Sequence, residues 1–160
     1  MTWSILALAV VLFFAVYVTW TAGRLDRQHA RVDAAWAALD AQLVRRAAAA
    51  RGLVHTLPPG PARERLEQLA VQALTAQVVG RELVENDLTG ALRAALPLVP
   101  DSTPRGELQS AGVRVGLARS FHNTAVKDTR SLRFRRLPRA FRLAGHRVMP
   151  LFFEIDDTAL

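Results

Sequence analysis

Cysteine is absent from the 160 residues, which excludes disulfide frameworks, thiolate metal sites and cysteine nucleophiles together. Charge is absent from residues 1–23, which hold no Asp, Glu, Lys, Arg or His. The formal charge of +7, from 21 basic and 14 acidic side chains, therefore sits entirely beyond Gly23. Lysine is nearly absent too: Lys127 stands alone beside twenty arginines, a bias that genome composition explains as well as function does. Metal-ligand spacing is missing. His29, His55, His122 and His146 lie 26, 67 and 24 residues apart, so no HxxxH or HExxH pair puts two ligands on one helical face. His122 falls on an apolar stripe and reads as a core histidine. Glu82, Glu85 and Asp87 carry the ordinary spacing of a solvated helix face. No Gly-rich loop follows a strand, and Ser102, Ser110, Ser120 and Ser131 have no nucleophile setting. No catalytic residue, cofactor, metal or small-molecule substrate is expected.

What the first residues do have is a long apolar run. Residues 3–22 contain no charge, Gly or Pro. At about 1.5 Å per residue, twenty residues of helix cover roughly the 30 Å hydrocarbon core of a bilayer. Trp3 at one end and Tyr17 and Trp20 at the other suit the two interfaces. A cleaved signal peptide is the rival reading, but no Lys or Arg precedes Arg24, and a cut after Ala22 places bulky Trp20 at the −3 position. A buried core helix is the other rival, and twenty residues apolar on every face fit a membrane better. Arg24, Arg27 and Arg31 come directly after the run and nothing positive precedes it. The positive-inside rule then places the amino terminus outside and the body in the cytoplasm. The expected division is a membrane anchor at 1–23, a cytoplasmic helical bundle at 24–150 and a tail at 151–160.

The body of 137 residues can hide roughly 68–70% of its unfolded surface, enough for a core. Pro58-Pro59-Gly60-Pro61 and the run from Pro97 through Pro100 to Pro104 break it twice. Between the breaks, apolar residues step by three or four. Val32, Trp36, Leu39, Leu43, Ala47, Ala50, Val54 and Leu57 draw one stripe. Leu66, Ala70, Ala73, Ala76, Gly80, Val84, Leu88, Leu92 and Leu96 draw a second, less clean around Gly80. Leu108, Ala111, Val115, Ala118, His122, Ala125, Thr129 and Leu132 draw a third. Pro61 and Pro104 suit first helical turns, with Thr103 as an N-cap. No run alternates with period two, so no sheet is expected.

The predicted fold is all-α: an N-terminal transmembrane helix, then an antiparallel three-helix, up-down-up bundle with a short fourth helix from Pro138 to Gly145. Leu151-Phe152-Phe153 should dock back on the bundle. In this arrangement the first and third long helices are parallel. Counting the rise per residue puts Arg119 near the level of Asp40, and Asp128 near Arg46 or Arg51.

The charge that stands out is Arg130, Arg133, Arg135, Arg136, Arg139, Arg142 and Arg147, with no acid between residues 129 and 153. A solvated basic face is the plain reading; anionic lipid, nucleic acid or an acidic protein partner are the functional ones. Nucleic acid is the weakest, because Phe134 and Phe141 are spaced for apolar docking as much as for base stacking. In the up-down-up arrangement the segment starts about 40–50 Å from the bilayer. That is far beyond the Debye length of about 8 Å, which favours an acidic protein partner over lipid.

Two segments carry a family resemblance. Arg31-Val32-Asp33-Ala34-Ala35-Trp36, continuing through Asp40, Gln42, Arg45 and Arg46 to Leu53, resembles the first cytoplasmic helix of the LemA family. Arg119-Ser120-Phe121-His122-Asn123, through Lys127-Asp128 to Pro138 and Phe152-Phe153, resembles that family's last long helix and tail. The resemblance implies a single-pass membrane protein with a cytoplasmic helical bundle and no established catalytic activity. The expected function is a membrane-anchored, non-enzymatic scaffold or interaction protein at the cytoplasmic face. The alternative is a peripheral anionic-lipid or anion binder acting through residues 130–147.

Overall fold

The computed structural model describes residues 2–100, 103–134 and 148–156. Among these every regular element is helical: α1 (Thr2–Val54), α2 (Pro61–Thr75), α3 (Arg81–Ala95) and α4 (Thr103–Arg133), with one 3-10 turn at Leu96–Leu98. The chain forms two compact units. One comprises Met1–Ala34 and Thr124–Leu151, the other Ala35–Asn123 and Phe152–Leu160.

The larger unit is built on the α1 stripe. Ala47, Ala50, Leu53, Val54 and Leu57 pack with Leu66, Leu69, Ala70 and Ala73 of α2, Leu88, Leu92 and Ala95 of α3, and Leu108 of α4. Each buried Leu contributes roughly 1.5–3 kcal/mol, and the alanines leave room for helices to approach. Further along, Leu39 and Leu43 meet Val115, Phe153 and Ile155, with Trp36 and Ala118 against them. The tail therefore docks as expected, but through Phe153 and Ile155; Leu151 is exposed.

The single middle helix expected from the second stripe is two helices. α2 stops where Ala76 turns extended, at φ −63° and ψ 131°. Gly80 then takes φ 83°, a left-handed conformation that a Cβ disfavours, and starts α3. The apolar step through Ala76 and Gly80 has the right spacing, but the backbone breaks there. An αα-hairpin results.

That extra reversal changes the direction of α4. In the larger unit Val115 lies beside Leu39 and Leu43, and His122 packs on Trp36 with ring centroids 5.5 Å apart. In the smaller unit Thr129 Oγ1 donates to the Gln28 carbonyl at 3.4 Å, and Arg31 lies 3.8 Å from Asp128. In each unit α4 runs antiparallel to α1, not parallel as the three-helix count required. Asp128 faces Arg31 rather than Arg46 or Arg51, and Asp40 pairs with Arg81, while Arg119 lies 3.8 Å from Glu154.

The smaller unit buries Thr21, Leu25, His29 and Val32 of α1 with Ala125, Val126, Thr129 and Leu132 of α4. His29 stays inside α1's own ladder, its Nδ1 2.9 Å from the Leu25 carbonyl. α1 passes Gly23 without interruption. Its N-terminal part is long and apolar enough to cross a membrane: the most apolar 18-residue window has a mean hydropathy of 2.3 and is only 6% buried. The helix expected from Pro138 to Gly145 lies outside the described residues.

Candidate functional site

Three arrangements in the two units carry chemistry. The first is an ion network inside the larger unit. Arg46 and Glu85 are both fully buried, with Arg46 Nη2 donating to Glu85 Oε2 at 2.6 Å. The same guanidinium donates to the Glu85 carbonyl at 3.3 Å and to Thr89 Oγ1 at 3.4 Å. Arg81, one turn before Glu85 on α3, donates through Nε to Glu85 Oε1 at 3.1 Å. Its Nη1 donates to the Ala76 carbonyl at 2.6 Å, placing a cation at the C-terminus of α2, where the helix dipole favours one. Nη1 also lies 3.4 Å from Asp40, whose side chain is 45% exposed. Two guanidiniums and two carboxylates cancel. The network therefore locks α1 to the α2–α3 hairpin while adding no net charge.

Glu85 corrects the reading of residues 82–87 as a solvated face. It sits three residues before Leu88 and seven before Leu92, on the buried side of α3. Of the three acidic residues in that stretch only Asp87 is exposed, and Glu82 is half-buried. Arg81, Glu85 and Thr89 share one face at i, i+4, i+8, and that spacing beside a leucine stripe was the available sign. Beside this network Trp36, Asp40, Val44, the 74–78 segment and Arg81 line an open cleft of about 280 Å³.

The second arrangement holds the tail. Asn123 clasps the Phe153 backbone, donating to its carbonyl at 3.1 Å and accepting from its N–H at 2.9 Å. Glu82 Oε1 accepts from the Glu154 N–H at 2.6 Å, Asn86 Oδ1 accepts from the Asp156 N–H at 2.9 Å, and Arg93 donates to the Asp156 carboxylate at 2.6 Å. Alternate residues Phe153 and Ile155 point inward, with Phe153 edge-on to Trp36 at 5.4 Å. Of the motif residues, Trp36, Asp40, Arg46, Arg119 and Asn123 thus join structural contacts of this unit. Asp33 and Arg45 are exposed, and Gln42 is half-buried.

The third arrangement lies in the smaller unit, at the end of the apolar run. Arg24, Gln28, Asp128, Ser131 and Leu132 line a cleft of about 270 Å³. Arg24 sits over the Trp20 ring, 5.7 Å from its centroid. Arg130 and Arg133 belong to the last turn of α4 at this level, and Arg133 Nη1 donates to the Val148 carbonyl at 3.2 Å. Arg135, Arg136, Arg139, Arg142 and Arg147 lie outside the described residues. Among the described residues no three His, Asp or Glu side chains form a group able to hold a metal ion. No protein-family profile, curated protein or solved structure matches the chain.

Proposed function

We propose that the protein is a single-pass, non-enzymatic membrane protein of LemA-like build, with its amino terminus outside and its body in the cytoplasm, whose basic base engages anionic lipid headgroups. One observation carries this over the scaffold reading: the antiparallel return of α4. It puts Arg130 and Arg133 level with the helix that carries Arg24, Arg27 and Arg31, directly after the apolar run. Arg135 and Arg136 come within three residues of Arg133 along the chain. Cations at that depth lie within a Debye length of the headgroups, and each is worth about 1 kcal/mol against an anionic leaflet. The remote placement that favoured an acidic protein partner is lost with the parallel α4.

The test uses the full chain reconstituted with lipids brominated in their acyl chains. Trp20 is the reporter in a Trp3→Phe background, in which Trp36, about 24 Å further along α1, adds a baseline that acyl-chain bromines do not reach. Brominated phosphatidylglycerol should quench it more strongly than brominated phosphatidylcholine, and added salt or Arg130→Gln with Arg133→Gln should narrow the gap. Equal quenching by the two lipids ends the lipid reading.

The scaffold reading keeps one observation of its own. Val113, Leu117 and Phe121 recur every four residues on α4 and are all exposed. Leu117→Cys supplies the chain's single thiol. A partner on this face should slow its alkylation in native membranes relative to the purified chain, whereas equal rates leave that reading without support.

A further inference from the structure

The cleft at the base of the smaller unit has a composition that a simple anion site lacks. Among the described residues Arg24 is its one cationic lining residue, whereas Gln28, Asp128 and Ser131 on its walls carry oxygen acceptors. Gln28 Oε1 is buried and has no hydrogen-bond partner. An orphaned buried acceptor of this kind costs free energy until a donor arrives. Asp128 is held only loosely, 3.8 Å from Arg31 with both side chains at least half exposed. Ser131 Oγ already donates to the Asp128 carbonyl at 2.8 Å, so toward the cleft it offers lone pairs. Trp20 under Arg24 belongs to the end of the apolar run, and Leu132 closes the wall with an apolar side chain. The lining therefore asks for a molecule with a phosphate at one end, a hydrogen-bond-donating cation at the other, and a greasy continuation.

We propose that this cleft binds the phosphoethanolamine headgroup of a membrane lipid. Arg24 takes the phosphate, and the ammonium lies against the Asp128 carboxylate, where a turn of the Gln28 side chain brings its buried, unpartnered Oε1 out to accept a second N–H. The volume of about 270 Å³ is that of roughly nine waters at ~30 Å³ each, ample for the ethanolamine end. The proposal rests on the reading that α1 spans a bilayer, since only then does Arg24 sit at headgroup depth. It goes beyond the basic base, which attracts net negative charge and makes no distinction between two zwitterions.

That distinction supplies the test. Phosphatidylcholine has the same net charge as phosphatidylethanolamine, but its trimethylammonium has no N–H to donate. The full chain, released from micelles holding equal amounts of both lipids, is read by native mass spectrometry. Retained phosphatidylethanolamine should exceed phosphatidylcholine by about tenfold, the size of one hydrogen bond to a charged group. Asp128→Asn and Gln28→Leu should each reduce that ratio towards one. Asp128 is half exposed and outside the buried core, so its variant tests binding and not folding. Equal retention of the two zwitterions overturns the cleft proposal, as does a preference that survives both substitutions. A parallel competition with phosphatidylglycerol reports separately on the basic base. Its preference over phosphatidylcholine without an ethanolamine preference leaves the base standing and removes the cleft; the reverse result does the opposite.

Discussion

Glu85 accepts from two guanidiniums at once, and this makes the two ends of the network unequal. Arg46→Met removes one donor and leaves Glu85 paired with Arg81. Glu85→Leu leaves the buried Arg46 uncompensated, a loss of about 3–5 kcal/mol, and Arg81 retains only its contacts to Asp40 and the Ala76 carbonyl. Denaturation of the full chain in detergent should therefore find Glu85→Leu more destabilising than Arg46→Met. The double variant should recover much of the difference, because paired apolar replacements of buried ions are often neutral. Equal losses from the two single variants contradict this ordering. Arg46 itself was legible as a motif residue, with Asp128 expected near its level, although its partner Glu85 was not. Glu85 reads as polar in a polar run, and only the leucines three and seven positions later betray the side of α3 on which it lies.

Gly80 caps α3 and Gly90 lies within it, and the two should answer alanine with opposite signs. Gly80 holds φ +83°, and a Cβ there is strained although nothing lies within 4 Å. Gly90 is helical, exposed and equally uncrowded, with no positive φ. Gly80→Ala should destabilise by about 1–2 kcal/mol, and Gly90→Ala should stabilise by about 0.5–1 kcal/mol. Thermal melts of the two variants that move in the same direction would falsify the assigned backbone at one of them. The first and third stripes were readable because burial follows the 3.6 period: Leu39, Leu43, Ala47 and Ala50 on α1, and Leu108, Val115, Ala125 and Thr129 on α4, are buried, with Trp36 and Ala118 partly so. The break between α2 and α3 was not, since Ala76 and Gly80 happen to keep the period across it. Hydrophobic spacing reports which face is apolar and says nothing of a backbone that leaves the helix between two in-phase positions.

At the scale of the whole molecule, the number of reversals decides where each end of the chain arrives. Three helices send the last one away from the start of the first; a fourth brings it back. Within the smaller unit, the antiparallel return of α4 sets Arg130 and Arg133 near the level of Arg24, and the proposal of lipid over protein rests on that return. With the positive residues placed after the apolar run, a reporter fused after Leu160 should be active in the cytoplasm. Activity confined to the outside would invert the topology and, with it, the leaflet that the basic base faces. The uninterrupted passage of α1 through Gly23 has a mechanical meaning as well. With no hinge where the apolar run ends, a roll of that segment turns Leu25, His29 and Val32 through the same angle, about 100° for each residue of register. Inserting one alanine after Gly23 therefore resets the azimuth of these three at a cost of ~1.5 Å in depth, whereas seven restore the azimuth to within about 20°. On the proposed single-pass reading the segment works as a drive shaft, carrying the orientation of a helix in the bilayer into the buried cluster around His29.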